Sequence, residues 1–211
     1  RLTNVAIYGA FNTSSKLFDH PNDANDVIRS QFLPLNNVIS AGVDIRRTLE
    51  TFRISIGLSL EYISAEETFS IPISPSQVIP VTDGFTAVPV ELSGFFSIPV
   101  GNDRMQIYMG GGVGAYCGAR RYSYAGAPAP PIDRKTGFGI HVLSGLEYNL
   151  QPSVSIRSEL KFRNVQFETV NQFQQPVAVY SGSVVVLDQV PLHSRINIDG
   201  MTFSLGLVYH F

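Results

Sequence analysis

The chain has 211 residues and a net charge of −2 at pH 7, and it is 44% hydrophobic but only 15% charged. That balance excludes binding nucleic acid by phosphate neutralisation, which needs a basic excess, and it is poor in charge beside the roughly 25% of ordinary soluble domains. A single cysteine, Cys117, excludes an intrachain disulfide, and no run reaches the ~18 consecutive apolar residues of a membrane helix.

Alternation of apolar and small or polar residues begins at once and predicts strands. Val5, Ile7, Gly9 and Phe11 share one face of the first. In the second, Ile39, Ala41, Val43 and Ile45 oppose Ser40, Gly42, Asp44 and Arg46. The third, FRISIGLSLEY, is the clearest: Phe52, Ile54, Ile56, Leu58, Leu60 and Tyr62 alternate with Arg53, Ser55, Gly57, Ser59 and Glu61. A strict period of two over that length excludes an amphipathic helix. The fourth sets Thr86, Val88, Val90, Leu92, Gly94 and Phe96 against Ala87, Pro89, Glu91, Ser93 and Phe95. The fifth sets Ile107, Met109, Gly111, Val113, Ala115 and Cys117 against a face of Gln106, Tyr108, three glycines and Tyr116. In the sixth, Phe138, Ile140, Val142, Leu146 and Tyr148 oppose His141, Leu143, Gly145, Glu147 and Asn149. In the seventh, Val154, Ile156, Leu160 and Phe162 oppose Ser155, Arg157, Glu159, Lys161 and Arg163. The eighth, MTFSLGLVYHF, turns Met201, Phe203, Leu205, Leu207, Tyr209 and Phe211 to one side.

Connections alternate between short links, near 48–51, 99–104 and 150–152, and long ones, near 12–36, 64–84, 118–135 and 169–194. An even number of antiparallel strands, each about ten residues long, with short turns at one end and long loops at the other, is the plan of a transmembrane barrel. The chain is therefore expected to be one all-β domain over 1–211: an eight-stranded, antiparallel, up-and-down transmembrane β-barrel with long extracellular loops. A soluble ligand-carrying barrel would put the apolar face inside. Volume argues against it, because an eight-stranded bore is just wide enough for side chains or one small ligand. The Gly-, Ser- and Ala-rich face suits that bore, so the apolar face points to lipid. Aromatics near strand ends, Phe52, Tyr62, Phe96, Phe138, Tyr148, Phe162, Tyr209 and Phe211, are expected to form interfacial girdles.

The eighth stretch ends SLGLVYHF, and its Ser204, Gly206, Tyr209 and Phe211 resemble the C-terminal signal read by the bacterial outer-membrane assembly machinery. VPVELSGFFSIPVGNDRMQIYMGGGVGAY and GFGIHVLSGLEYNLQPSVSIRSELKFR resemble the central hairpins of the small outer-membrane β-barrel superfamily of OmpA, OmpX and OmpW type. The resemblance covers most strands and fails in the long loops. It implies a Gram-negative-type outer membrane, contact with its lipid and delivery by the assembly machinery, but no particular activity. No charged-then-apolar leader follows Arg1, so an export signal is expected to have been removed or left out.

By parity the inward face carries Asp44, Arg46, Arg53, Glu61, Glu91, His141, Glu147, Arg157, Glu159, Lys161 and Arg163. Acids and bases nearly balance, and buried charge must be paired, so a salt-bridged polar plug is expected rather than an ion path. Glu147 should approach Ser155 and lie diagonal to Arg157. Arg46 should lie near Arg53, with Asp44 between them. Lipid-modifying barrels make His141 beside Glu159 worth weighing as a general base, but no serine stands out as its partner, and no enzyme activity is expected. The glycine-rich 110–114 lacks the Lys-Ser/Thr of a phosphate loop. His20, His141, His193 and His210 lie on different elements without ligand spacing, so neither metal nor cofactor is expected.

The first and third loops are polar, the third carrying Arg120, Arg121 and a Pro/Ala tract that suits an exposed contact surface. Segments 69–81 and 176–190 are apolar and β-prone. They are expected to extend the barrel as hairpins, packing on each other or meeting a protein partner or a second copy. The expected function is a non-enzymatic scaffold presenting loops to a partner, with a small channel for a narrow or apolar solute as the alternative. Deleting Phe211, or replacing it with a charged residue, should block membrane insertion while leaving synthesis intact. Heat-modifiability on gels checks this, and a normally inserted deletion product would refute it.

Overall fold

Strand side chains alternate between two faces, so a closed ring of strands sorts one set inward and the other outward. The computed structural model describes residues 2–36, 38–49, 54–74, 77–99 and 104–211. Eight strands form the ring: β1 (Thr3–Asn12), β2 (Val38–Leu49), β3 (Ile54–Ser74), β4 (Gln77–Ile98), β5 (Met105–Tyr124), β6 (Gly137–Gln151), β7 (Val154–Asn171) and β8 (Leu192–His210). Neighbours in sequence pair antiparallel. The ring closes where β8 meets β1, from Asn4↔His210 to Asn12↔Thr202. The amide of Phe211 donates to the Thr3 carbonyl at 2.9 Å, extending that seam.

The outward set is as the alternation demands. Ile7, Val43, Leu58, Leu92, Val113, Ile140 and Leu205 are exposed around the ring. A belt of this extent has no place in water and needs lipid. Phe11, Tyr62, Phe138, Phe162 and Phe203 sit toward the long-loop end of the belt, and Phe96, Tyr148 and Tyr209 toward the other, all exposed. Phe52 and Arg53 lie outside the described residues, as do 50–53 and 100–103 of the two short links.

The staves continue far past the lipid belt, which corrects the loop boundaries expected for 64–84, 118–135 and 169–194. β3 and β4 pair from Ile54↔Phe96 to Ser74↔Gln77, with one break opposite Pro89. β4 and β5 reach Val81↔Tyr124, and β7 and β8 reach Asn171↔Leu192. The first loop is also more than a polar turn. Its short strands Ser15–Phe18 and Leu33–Leu35 pair with each other, and the first pairs with β8 at Lys16↔Asn197. They drive Leu17 and Leu35, both 0% exposed, into the mouth of the ring.

A face-assignment test follows from Leu58, which is half exposed to lipid, and its lumen-side neighbour Ser59. Leu58→Arg should cost about 2–4 kcal/mol near the bilayer midplane, and Ser59→Ala far less. Urea unfolding in lipid vesicles reads both, and equal losses would invert the assignment.

Candidate functional site: the sealed lumen and the extracellular crown

From the short-turn end upward, β7 turns Ser155, Arg157, Glu159, Lys161, Arg163, Val165 and Phe167 inward. The charges come first, and each finds its partner on another stave. Arg157 lies directly opposite Glu147, not diagonal to it. Its Nε donates to Glu147 Oε2 at 3.0 Å, its Nη1 to Asp44 Oδ1 at 2.9 Å and its Nη2 to Asn4 Oδ1 at 2.9 Å. The other Glu147 oxygen lies 2.9 Å from His210 Nε2. Ser155 lies 2.8 Å from that same nitrogen and donates to Asn149 Oδ1 at 2.7 Å. Asp44 thus bridges Arg157 and Arg46, and the expected approach of Arg46 to Arg53 falls outside the described residues.

One level higher, Arg46 Nη2 reaches Glu159 Oε1 at 2.5 Å, and the Tyr108 hydroxyl donates to the same oxygen at 2.6 Å. The guanidinium of Arg46 lies 3.9 Å from the Phe95 ring centroid, a cation–π contact that supports a desolvated cation. Above it, Glu91 is the hub. Lys161 Nζ is 2.6 Å from its Oε2, the Tyr116 hydroxyl donates to its Oε1, and Arg163 Nη1 and His141 Nδ1 each lie 3.9 Å away. Arg163 Nη2 also donates to Glu61 Oε2 at 3.0 Å. Every expected lumen charge within the described residues is gathered into this column.

The glycine run explains how side chains of β4 and β6 meet across β5. Ser93 and His141 both face Gly112 in register. With no side chain between them, Ser93 Oγ lies 2.8 Å from His141 Nε2. A Cβ on Gly112 would fall 1.9 Å from the Leu92 carbonyl oxygen, so glycine is required there by close backbone approach. Two aspects of the His141 reading are thereby corrected: its carboxylate neighbour is Glu91 rather than Glu159, and it does have a serine partner. Ser93, His141 and Glu91 follow one another in the order of hydrolytic triads, but His141 Nδ1 stands 3.9 Å from Glu91 without a hydrogen bond, and all three are buried. The space beside Ser93, bounded also by Tyr8, Asp44, Arg46, Glu159 and Lys161, is about 10 Å³. That admits at most a water molecule, and no acyl chain.

Above the charges the lumen becomes dry. Ile63, Phe85, Ala87, Tyr116, Val165, Phe167, Ile196 and Ile198 pack with Leu17, Leu35 and Val38 into one buried cluster. The lipid-belt pattern could not announce this layer, because alternation inverts there: apolar residues face inward and polar ones such as Glu66, Gln166 and Asn197 face outward. Over it sits a second buried ion pair, which sequence reasoning missed by placing Arg120 in an exposed loop. Arg120 Nε donates to Asp83 Oδ1 at 2.8 Å, its Nη1 to Ser194 Oγ at 2.5 Å, and Asp19 Oδ1 lies 2.5 Å from its Nη2. Asn171 holds the Arg120 carbonyl at 3.1 Å.

The crown closes the top. Ile79 from the β3–β4 hairpin packs with Ala125, Ala129, Phe173, Val185 and Leu187. The two apolar segments therefore share one buried cluster, to which Ile79 and Val185 both belong. A separate two-stranded hairpin, Val177–Tyr180 with Ser183–Val186, lies across this cluster. Its Ser181 and Gly182 both have positive φ, 47° and 81°, as a tight two-residue hairpin turn demands.

The Glu91 hub yields a stability test. Glu91→Ala strands Lys161 beside Arg163, and breaking one side of a buried pair costs about 3–5 kcal/mol. Pairing Glu91→Leu with Lys161→Met should recover part of that loss, measured by unfolding in vesicles. A single substitution as mild as the double would remove Glu91 from its central place.

No protein-family model matches the sequence, and no curated protein matches it. Solved structures match it by shape. Neisserial surface protein A is similar with a TM-score of 0.54 at 12% identity, over 99% of this chain and 97% of that chain. The outer membrane protein OprG of Pseudomonas aeruginosa is similar with a TM-score of 0.61 at 10% identity, over 100% of this chain and 96% of that chain. Identities this low speak to fold alone. With the closed ring, the lipid-facing belt and the long outer staves, they establish that this chain has the fold of the small eight-stranded outer-membrane β-barrels.

Proposed function

We propose that this barrel is a non-enzymatic outer-membrane surface protein that holds a rigid β platform outside the cell for a protein partner. The observation that carries the reading is the bare face of the crown hairpin. Val177 pairs with Val186 and Val179 with Val184, which puts all four valines on one face. They are 43%, 79%, 72% and 69% exposed, respectively. Ala178, Tyr180 and Val185 on the other face pack into the crown. A ribbon needed only to cap the barrel has no use for four solvent-exposed valines, and contiguous apolar surface of this kind marks an interaction site. Val78 and Val190 are also exposed on the crown segments. Both outer edges of the ribbon are unpaired among the described residues, so a partner strand has backbone groups to meet as well.

The filled lumen supports this reading over a channel. Charges saturate the lower half, a dry apolar layer fills the middle, and the Asp83–Arg120 pair lies above it. The burial of Ser93 and His141 likewise favours a non-enzymatic role.

Deuterium exchange tests the proposal directly. Residues 177–190 should exchange slowly in native outer membranes and faster in the purified barrel. Val179→Asp with Val186→Asp should abolish that difference while leaving the barrel folded. Equal exchange in both settings would refute a partner at this face. Discrete conductance steps from the purified barrel in planar bilayers would favour the channel instead.

A further inference from the structure

The outer wall carries a recess where β6 begins. Above the Tyr116↔Gly137 pair, β5 has no ladder partner on that side until Tyr122↔Ala129, while Pro131–Arg134 crosses to pair with β7 at Arg134↔Thr169. The wall therefore has a notch. It forms a recess of about 360 Å³ lined by Thr86, Val88, Cys117, Arg134, Lys135 and Thr136. Directly below it, a second depression of about 530 Å³ runs down the lipid face, floored by Val113 and Ala115. Val90 and Leu92 wall one side and Phe138 and Ile140 the other. Register makes the two continuous, since Val88↔Cys117 stacks on Val90↔Ala115, and Phe138 pairs with Ala115. The upper recess is polar and cationic, and the lower one is purely apolar.

The charges around the upper recess are specific. Lys135 Nζ lies 2.9 Å from Glu168 Oε2, and Arg195 shares that carboxylate at 3.6 Å. Arg121 points outward one pair above the recess, 3.8 Å from Glu66. Asp133 accepts the backbone N–H of Arg134. The Arg134 guanidinium has no ion pair among the described residues and is exposed. These cations lie just above Phe138, at the headgroup level of the extracellular leaflet. A comparable apolar furrow at Ile7, Gly9, Ile156 and Leu205, about 360 Å³, has no charged residue in its lining. Only the first combines a greasy groove with a basic mouth.

We propose that this notch is a binding site for a phosphorylated, multiply acylated glycolipid of the outer leaflet. One acyl chain lies along Ala115 between the Val90 and Phe138 ridges. The phosphate meets Arg134 and Lys135, and the Thr86 and Thr136 hydroxyls face the sugar. Arginine suits the phosphate because its planar fork donates two parallel hydrogen bonds. The occupant is set by complementarity at both ends: a neutral lipid satisfies the groove and leaves the cations idle, and a free phosphate does the reverse.

Cys117 reports on the site, because it is exposed, lines the recess and is the chain's single cysteine. The experiment measures its alkylation by a maleimide in barrels folded into phosphatidylcholine vesicles. The vesicles carry bisphosphorylated lipid A, fully dephosphorylated lipid A, or phosphatidylglycerol at matched charge. The site requires alkylation to slow several-fold with the bisphosphorylated form alone. Arg134→Gln with Lys135→Gln should remove that protection, and heat-modifiability confirms that the variant is folded. Equal protection by dephosphorylated lipid A would overturn the phosphate contact. Equal protection by phosphatidylglycerol would reduce the site to a general anionic surface and overturn the glycolipid assignment. Protection that survives the double substitution would place the lipid elsewhere.

Discussion

An eight-stranded ring is too narrow to hold water in bulk, so whatever points inward must satisfy itself with other protein groups. The lumen of this barrel is built around that demand. β7 supplies Arg157, Glu159, Lys161 and Arg163 as a central spine, and Glu147, Asp44, Arg46, Glu91 and Glu61 answer from other staves. Removing one group leaves another charge short of a partner in a space that cannot solvate it, and Lys161, paired with Glu91, is the plainest case. The glycines of β5 and β6 belong to the same solution. A Cβ on Gly145 would fall 2.2 Å from the Tyr108 ring, and it is this ring whose hydroxyl reaches Glu159. Backbone without side chain provides the room in which large polar side chains cross the bore.

The barrel was legible in the sequence because its lipid-facing and lumen-facing residues differ in chemistry. FRISIGLSLEY sorts into faces at sight, and the lumen charges fall on one parity in every stave. Cross-barrel partners were not legible. Ser93 and His141 sit on staves separated by β5, and only the register that places both at Gly112 brings them together. The long outer staves were hidden for a different reason. Above Ser64 the sense of alternation inverts, with Ala65, Phe85 and Phe167 inward and Glu66, Thr86 and Gln166 outward, so the pattern of the lipid belt no longer marked these stretches as staves. Arg120 was concealed by its setting, since Arg-Arg-Tyr-Ser-Tyr reads as an exposed loop until the strand continuing through it turns every second residue inward.

Two surfaces remain unsatisfied once the lumen is complete, and they lie at different heights. The crown shows valines to the aqueous exterior, and the notch shows cations to the headgroup layer. The same stretch of chain separates them. Leaving β5, it turns at Ala125 and Gly126, pairs as Ala127–Ala129 with β5, then crosses to β7 before starting β6. That crossing both interrupts the wall at the lipid surface and helps seat the residues that pack beneath the hairpin, including Ala129. A change in this segment would alter both surfaces together.

The long β3–β4 pair has a mechanical meaning. From Ile54↔Phe96 to Ser74↔Gln77 the same two strands run from the short-turn end of the barrel into the crown, with a break in the ladder opposite Pro89 and a register shift between Pro72 and Ser74. In an antiparallel ladder the hydrogen bonds lie across the strands. A pull on the tip along the strand direction draws β3 and β4 together and loads their flanking ladders with β2 and β5 in shear, with many bonds sharing the force, instead of peeling them apart one at a time. Tension applied at this tip is carried into the membrane-embedded ring.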